Sequence, residues 1–252
     1  MTFAGSTAIV TGGASGIGLA ISERLARDGA KVAVLDIDAD LAEQTVQAIR
    51  EAGGEAIACR VDVSNRAEVD AAVERVRREL GHVLVLVNAA GKDSFERFID
   101  VTVEDWERII AINLTGTFHC IQSVLPDMLE AKWGRIVNIS SSSGQTGAAM
   151  MAAYASSKAG QIGLTKSLAL ELGPLGITVN TIPPGSIETP MSRRAADEGR
   201  FRGGTLDDVA KTLPVRRIGV PEDIAGACAY LVSDEAGYVT GQIIGLNGGR
   251  VT

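Results

Sequence analysis

Short apolar segments alternate with longer amphipathic ones along most of the chain. The apolar segments predict seven strands: Thr7–Val10, Lys31–Leu35, Glu55–Val61, Val83–Val87, Arg135–Ile139, Ile177–Ile182 and Gln242–Leu246. The amphipathic segments predict six helices: Gly16–Asp28, Ala39–Ala52, Arg66–Leu80, Val103–Ala131, Met151–Leu172 and Pro221–Ser233. Strands such as Val83–Val87 are apolar on both faces, which is typical of a parallel sheet covered on two sides. The alternation predicts a doubly wound α/β fold with a seven-stranded parallel sheet and helices on both faces.

Residues 188–217 interrupt this alternation, because they are polar, contain glycine and show no clear period. Elsewhere the chain has no Pro/Gly/Ser-rich linker and no change of composition. We therefore expect a single domain over residues 1–252, with a mobile flap at about 188–217.

Composition and charge narrow the classes of function. The net charge of −7 argues against a nucleic-acid partner, which requires a basic surface. The three cysteines, Cys59, Cys120 and Cys228, have neither metal-ligand spacing nor a neighbouring His cluster, so we expect no metal, no disulfide and a cytoplasmic location. The apolar runs are short or broken by charge, and no membrane partner is expected.

A glycine-rich loop, Thr-Gly-Gly-Ala-Ser-Gly-Ile-Gly at Thr11–Gly18, joins the first strand to the first helix. Its glycines let a diphosphate approach the backbone, and the helix N-terminus supplies N–H donors. The spacing differs from the common G-x-G-x-x-G pattern. A purely structural turn is the alternative interpretation of this loop taken alone.

Asp36 ends the second strand, about 20 residues after the loop. A carboxylate at this position accepts hydrogen bonds from the adenosine ribose hydroxyls and repels a 2′-phosphate. Ser15 offers no cation that would offset the repulsion. The sequence therefore favours NAD(H), with NADP(H) less favoured. A helix cap is the alternative role of Asp36 in isolation.

Several motifs in the same order resemble the short-chain dehydrogenase/reductase family: the glycine loop, Asn-Ala-Ala-Gly at Asn88–Gly91 and Tyr-Ala-Ser-Ser-Lys at Tyr154–Lys158. The resemblance extends to Ile112–Gly116, Pro183–Thr189 and the C-terminal Thr-Gly-Gln-Ile-Ile-Gly-Leu-Asn-Gly-Gly, and so covers essentially the whole chain. It implies a Rossmann-type dinucleotide-binding catalytic domain. The implied activity is NAD(P)(H)-dependent interconversion of a secondary alcohol and a ketone by hydride transfer, without a metal.

Tyr154 and Lys158 lie four residues apart on a predicted helix and so share a face. Bringing a tyrosine pKa from about 10 to neutrality requires about 4 kcal/mol. One ammonium about 4 Å away, at an effective dielectric of about 20, supplies roughly that amount. The resemblance assigns Tyr154 as general acid/base, and Lys158 as the group that lowers its pKa and binds the nicotinamide ribose. It also implies that Asn113 kinks its helix and holds a water in a proton relay from Lys158.

Four consecutive serines, Ser140–Ser143, follow the fifth strand. In the family that the chain resembles, the catalytic serine lies thirteen positions before the tyrosine, which selects Ser141. Its hydroxyl would donate to the substrate oxygen. Ser140 is expected to point to the other side of the strand end.

The resemblance also implies the set of residues that contact the cofactor. Asp62 and Val63 would meet the adenine, and Ile187 and Thr189 the nicotinamide amide, while Asn88 steadies the central strand. The full implied set is Gly12, Ser15, Gly16, Ile17, Gly18, Asp36, Asp62, Val63, Asn88, Ala90, Gly91, Tyr154, Lys158, Pro184, Gly185, Ile187 and Thr189.

The substrate pocket is expected to form around three segments. Residues 94–98 and 143–151 and the flap should line a mostly apolar pocket. The flap carries seven basic and five acidic residues; we interpret it as a solvated lid, and alternatively as an anion-docking patch. The preferred hypothesis is a 3-oxoacyl-thioester (acyl-carrier-protein or CoA) reductase or 3-hydroxyacyl dehydrogenase. The alternative is a dehydrogenase of a free secondary alcohol such as a cyclic alcohol, polyol or steroid. A more remote one is a non-catalytic nucleotide-binding scaffold.

Two predicted helices, Val103–Ala131 and Met151–Leu172, have more apolar and small residues than one sheet-facing stripe requires. Together with the resemblance, this surplus predicts a homotetramer built on those helices and the C-terminal strand.

Overall fold

The computed structural model describes residues 5–200 and 204–252. Its centre is a parallel sheet of six strands in the order β3-β2-β1-β4-β5-β6. The strands are β1 (Thr7–Thr11), β2 (Lys31–Asp36), β3 (Glu55–Arg60), β4 (Val83–Asn88), β5 (Gly134–Ile139) and β6 (Ile177–Ile182). The predicted Rossmann-type α/β fold is therefore confirmed, whereas the predicted number of strands is wrong.

Helices cover both faces of the sheet. They are α1 (Gly16–Arg27), α2 (Ala39–Glu51), α3 (Arg66–Leu80), α4 (Val103–Ile110), α5 (Gly116–Ala131), α6 (Ser143–Thr146), α7 (Ala152–Leu172), α8 (Pro190–Asp197), α9 (Leu206–Thr212) and α10 (Pro221–Leu231). The core on one face is built from α1, α2 and α10, and the core on the other from α3, α5 and α7. This double coverage explains why the strands are apolar on both sides.

The strand order reverses between β1 and β4, which are the two central neighbours. Ligands of open parallel sheets bind at the carboxyl ends of the strands beside such a switch point. The glycine loop leaves β1 at this edge, and the serine row leaves β5 there. The fold thus gathers the candidate residues from distant parts of the sequence at one edge.

The predicted seventh strand, Gln242–Leu246, is not part of the sheet. It runs beside β6 but forms only isolated parallel bridges, Thr181 with Ile243 and Pro184 with Leu246. A regular ladder cannot continue there, because Pro183 and Pro184 have no N–H to donate. The apolar residues of the segment reflect contact with the core rather than a full strand, since Ile244 and Leu246 pack against it.

One continuous helical stretch covers Val103–Ala131: α4, a π-helical turn at Ala111–Thr115, and α5. By length and composition alone it could cross a bilayer. In the fold, its C-terminal half contributes Cys120, Ile121, Val124 and Met128 to the core against the sheet. The stretch therefore serves as a core helix here, and the absence of a membrane partner stays a prediction.

The flap at 188–217 contains more regular structure than the sequence indicated. Thr189 caps α8 by accepting a hydrogen bond from the Ser192 N–H (3.2 Å), and Thr205 caps α9 through the Asp208 N–H (3.3 Å). Both helices are short, so the 3.6-residue period was too brief to recognise. The expected mobility of the flap and the extent of the single domain stay predictions.

Candidate active site

The glycine loop packs tightly between β1, β4 and the flap. A Cβ on Gly12 would lie 2.8 Å from the Cα of Ala90, and one on Gly18 would lie 2.0 Å from the Gly12 carbonyl oxygen. Gly16 has φ +50°, a left-handed conformation, and faces the Thr189 side chain. Only glycine therefore permits this turn, which brings the start of α1 to the cleft.

The cleft above this loop has a volume of about 730 Å³. Its lining includes most of the cofactor residues implied by the resemblance: Gly12, Ser15, Gly16, Ile17, Gly18, Asp36, Asp62, Val63, Ala90, Gly91 and Thr189. Tyr154, Lys158, Pro184, Gly185 and Ile187 line the adjoining cavity. Asn88 lies below the cleft, where its amide donates to Asn138 Oδ1 (2.9 Å) and connects β4 to β5. Asn88 lines neither cavity, and its predicted role toward the cofactor stays a prediction.

The Asp36 carboxylate stands at the end of β2 beside the glycine loop. Its Oδ2 accepts a hydrogen bond from the Ala14 N–H and its Oδ1 one from the Asp38 N–H, both at 3.1 Å. Asp36 is partly exposed to the cleft. Asp62 holds a turn through Ser64, whose hydroxyl donates to Oδ1 at 2.6 Å. These carboxylates fit the ribose and adenine end of a dinucleotide, so the residues present fit the implied cofactor.

The four serines differ in their contacts. Ser140 is tied to β6: its Oγ accepts a hydrogen bond from the Thr181 hydroxyl (2.8 Å) and donates to the Ile182 carbonyl (3.3 Å). Ser141 Oγ accepts a hydrogen bond from the Ser143 N–H at 3.1 Å, and Ser141 is close enough to Tyr154 to lower the tyrosine pKa. Ser141 and Tyr154 both line the same cavity, and the action of Ser141 on the substrate stays a prediction.

Tyr154 lies near the start of α7, at the inner end of a cavity of about 650 Å³. Burial raises its pKa above the ordinary value; the hydrogen bond with Ser141 opposes this rise, and the negative charge of Asp93 adds to it. The phenol is therefore neutral near pH 7 in the ligand-free chain and carries a proton that it can donate.

Lys158 is buried, and its position differs from the one assumed in the sequence argument. Its Nζ donates to the main-chain oxygen of Ile139 (2.8 Å) and to Gln161 Oε1 (3.1 Å), and lies 5.8 Å from the centre of the Tyr154 ring. Burial lowers the pKa of Lys158 to about 7. Because the ammonium is then only partly charged near neutrality, the ligand-free chain does not show the lowered Tyr154 pKa that the four-residue spacing predicted.

Asn113 lies in the π-helical turn behind Lys158 and is fully buried. Its side chain accepts a hydrogen bond from the Lys92 N–H (2.8 Å) and donates to the Lys92 carbonyl (3.0 Å) and to Ser157 Oγ (2.9 Å). The Asn113 side chain thereby connects Lys92, in the segment that follows β4, to Ser157 on α7. The predicted kink is a widened turn in a helix that continues on both sides.

The mouth of the cavity brings together the predicted segments and the flap. Phe95, Ala148, Ala149 and Met151 line it, with Met191 and Val209 from the flap. Met150, also expected to line the pocket, has φ +65°, and its carbonyl accepts a hydrogen bond from the Glu96 N–H (2.7 Å). The lining is mostly apolar, as predicted, with Asp93, Arg200, Asp208 and Arg250 as charged groups besides Lys158.

Most basic side chains of the flap pair with carboxylates of the same chain. Arg193 contacts Glu188 at 2.9 Å, Lys211 contacts Asp208 at 2.9 Å, and Arg217 contacts Asp223 at 2.6 Å. Arg200 reaches across the cavity to Asp93 at 3.4 Å. Arg202 lies outside the described residues. These pairs favour the solvated-lid interpretation over an anion-docking patch.

Two contacting residues were missed by the sequence argument. Asp93 was overlooked although it lies only two residues after the Asn88–Gly91 motif, and a charge near a motif at a strand end is a usable signal. Gln161 was overlooked although it is three residues after Lys158 on one helix, a spacing that predicts contact.

Comparison with known proteins agrees with this arrangement. A family model described as enoyl-(acyl carrier protein) reductase, of the short-chain type, matches residues 12–250. The chain is 40% identical over 243 residues to the acetoacetyl-CoA reductase of Cupriavidus necator, covering 96% of each chain. It is 40% identical over 250 residues to the 3-oxoacyl-[acyl-carrier-protein] reductase FabG of Escherichia coli, covering 99% of this chain and 98% of the relative.

Among solved structures, actinorhodin polyketide ketoreductase with NADPH superimposes with a TM-score of 0.92 at 38% sequence identity. The match covers 97% of this chain and 96% of that chain. The likeness therefore extends through the sheet, the cleft and the flap rather than to the dinucleotide-binding half alone.

Proposed function

The chain belongs to the short-chain dehydrogenase/reductase family of oxidoreductases that bind a nicotinamide cofactor, and on that premise we propose that it interconverts 3-oxoacyl and 3-hydroxyacyl thioesters. The observation that carries the proposal is that Ser141 and Tyr154 line one mostly apolar cavity, close enough for Ser141 to lower the Tyr154 pKa. Two neighbouring hydroxyls on one cavity wall are suited to hold a ketone oxygen and protonate it.

The proposed mechanism assigns the protein the proton and the orientation of the substrate. A bound reduced nicotinamide supplies the hydride. Tyr154, neutral because burial raises its pKa, donates its proton to the ketone oxygen. Ser141 donates a second hydrogen bond to the same oxygen and stabilises the charge that develops on it. Lys158 can gain or lose a proton near neutral pH beside the tyrosine, because burial lowers its pKa to about 7.

The thioester part of the proposal is supported by what the relatives are named for. Acetoacetyl-CoA reductase and the carrier-protein reductase FabG both act, by name, on acyl thioesters. The cavity mouth suits a short acyl chain, because Phe95, Ala149 and Met151 give it an apolar wall.

We further propose that the cofactor is NAD(H), although the similar ketoreductase was solved with NADPH. The Asp36 carboxylate opens into the cleft, and the two residues that follow are Ile37 and Asp38. An additional phosphate at this point would meet negative charge from Asp36 and Asp38.

The NAD(H) proposal also supports a second candidate function. Cells keep NAD largely oxidised, so an NAD-dependent enzyme favours oxidation, which suits a dehydrogenase of a free secondary alcohol. The two functions differ in whether the thioester contributes to recognition. A scaffold without catalysis would turn over none of these substrates.

A substrate panel tests the proposal with the full chain. Acetoacetyl-CoA, the same acyl group on N-acetylcysteamine, and ethyl acetoacetate are reduced with NADH or NADPH; 3-hydroxybutyryl-CoA, cyclohexanol and a polyol are oxidised with NAD. We expect kcat/KM to be at least about tenfold higher for the CoA thioester than for the free ketone, a difference of about 1.4 kcal/mol. Higher kcat/KM for a free alcohol would establish the alternative.

We also propose that the chain assembles as a homotetramer through α5 and α7. Phe118 and Leu129 on α5 and Leu170 on α7 are large apolar side chains that stand exposed in the single chain. Light scattering of the purified protein measures the assembly, and a monomeric mass would contradict it.

A further inference from the structure

Gln161 is a buried glutamine on α7, three residues after Lys158, with no exposed surface. Its Oε1 accepts a hydrogen bond from Lys158 Nζ at 3.1 Å. Its Nε2 donates to the main-chain oxygen of Asn113 at 2.9 Å and to the Thr117 hydroxyl at 2.7 Å. One carboxamide therefore connects the active-site lysine to the π-helical turn on the neighbouring helix.

The main-chain oxygen of Asn113 has both of its acceptor positions occupied. Besides Gln161 Nε2, it accepts a hydrogen bond from the Thr117 hydroxyl at 2.8 Å. A carbonyl oxygen has two lone pairs, so two donors fill it. The water expected between Lys158 and Asn113 has no acceptor left on this oxygen, and the glutamine amide stands in its place.

We propose that Gln161 is a positioning residue, which replaces that water and holds the Lys158 ammonium between α7 and the end of β5. The proposal deepens the proposed function and rests on it for its role in the reaction. Two of the three Nζ donors are directed by protein acceptors, Gln161 Oε1 and the Ile139 carbonyl. Because the ammonium is tetrahedral, fixing two of its N–H directions also fixes the third.

Gln161 stabilises the charged form of Lys158, because a hydrogen bond to an ammonium is worth more than one to a neutral amine. Burial acts against that form and lowers the Lys158 pKa to about 7. The other titratable side chains lining the same cavity are Tyr154 on α7, Asp93 and Arg200, which pair across the mouth, and Asp208 and Arg250. The facing groups from the π-helical turn and α5 are the uncharged Asn113 and Thr117.

The test compares two substitutions of similar volume, Gln161→Glu and Gln161→Met, through the pH dependence of the thermal unfolding midpoint of the ligand-free chain. In the wild type, stability rises with pH between about 7 and about 9, because the unfolded chain binds a proton on Lys158 that the folded chain has released. Above about pH 9 the buried thiols of Cys59, Cys120 and Cys228, whose pKa values are raised by burial, oppose this rise. Gln161→Met removes the acceptor, so the rise begins about one pH unit lower. Gln161→Glu abolishes the rise between about pH 7 and about pH 9, because the glutamate–lysine pair holds one proton in both states.

Thr165→Val is the matched control. Thr165 is also buried on α7, one turn further along. Its hydroxyl accepts a hydrogen bond from the Asn138 amide (2.9 Å) and donates to the main-chain oxygen of Gln161 (2.8 Å), so the substitution leaves the Gln161 carboxamide in place. This control lowers the unfolding midpoint without moving the pH at which the rise begins, and it retains kcat. Gln161→Met, in contrast, lowers kcat for acetoacetyl-CoA while its KM is retained.

A merely structural role of Gln161 would lower the midpoint equally at every pH, and that result overturns the proposal. If Gln161→Met does not fold, the pH dependence of the unfolding midpoint of the isosteric Gln161→Glu tests the proposal by itself. If the wild type reduces no thioester, the proposed function fails, while the pH dependence of unfolding still decides whether Gln161 holds the lysine.

Discussion

Lys158 Nζ lies 2.8 Å from the main-chain oxygen of Ile139, the last residue of β5. This hydrogen bond ties the helix that carries Tyr154 to the strand end from which Ser141 follows two residues later. The lysine thus contributes to the alignment of the two hydroxyls as well as to their charge environment. It does so at a cost in stability, because the ammonium is removed from water.

Lys158→Met should change the pH dependence of stability. The folded chain lowers the Lys158 pKa from 10.5 to about 7. The free-energy cost of burying the ammonium is therefore at its full value below pH 7 and disappears as the pH rises toward 10.5. The variant lacks this relief. We expect its unfolding free energy relative to wild type to fall by up to about 1.4 kcal/mol per pH unit between pH 7 and 10, measured by denaturant titration.

Lys166→Met on the exposed face of α7 provides the control for this measurement. The control variant should follow the wild type at every pH. A constant difference between Lys158→Met and wild type across the range would show that Lys158 is charged throughout.

Tyr154→Phe removes the proposed proton donor and leaves the ring in place. We expect kcat for acetoacetyl-CoA to fall by roughly 10²- to 10⁴-fold, the usual contribution of a positioned acid. NADH affinity, measured by fluorescence titration, should change little, because the glycine loop and Asp36 line a different part of the cleft. Retention of full activity would remove Tyr154 from the mechanism.

Ser141→Ala removes the hydroxyl that lies beside Tyr154 in the cavity and lowers its pKa. We expect a loss of roughly 10²- to 10³-fold in kcat, as when a donor to a developing oxyanion is deleted. Ser140→Ala is the control: its hydroxyl is bonded to Thr181 and Ile182, so it should lower stability by about 1 kcal/mol and retain activity. Equal losses of activity in both variants would show that the wrong serine has been assigned.

The fold was predictable to the extent that local pattern determines it. The apolar run at 83–87 identifies β4 because a strand covered on both faces has no polar side. The segment Gln242–Leu246 has a similar pattern, but its pairing depends on Pro183 and Pro184 some sixty positions earlier, which block a ladder. The hydrophobic pattern of a segment does not indicate whether the neighbouring strand has N–H groups to donate to it.

The sequence predicted most of the residues that line the two cavities, but it predicted their contacts less well. The spacing of Tyr154 and Lys158 correctly places them on one helix, yet it assumed that the ammonium points at the phenol. The ammonium points instead to the Ile139 carbonyl and to Gln161. The partners that Gln161 meets, Asn113 and Thr117, lie on another helix, and no local spacing indicates that contact.

The Asp36 carboxylate provides the test of cofactor preference. Asp36→Ser combined with Ile37→Arg replaces a negative charge by a positive one at the ribose end of the cleft, and Ile37 is 56% exposed, so an arginine has room. We expect the ratio of kcat/KM for NADPH to that for NADH to rise by at least about tenfold, since close charge pairs contribute 1.5 kcal/mol or more. Ile37→Arg alone is the control and should retain a preference for NADH, because Asp36 still accepts the ribose hydroxyls and neutralises the new charge. A wild type that already prefers NADPH in steady-state kinetics would refute the assignment and would mean that the carboxylate is committed to the Ala14 and Asp38 N–H groups of its own chain.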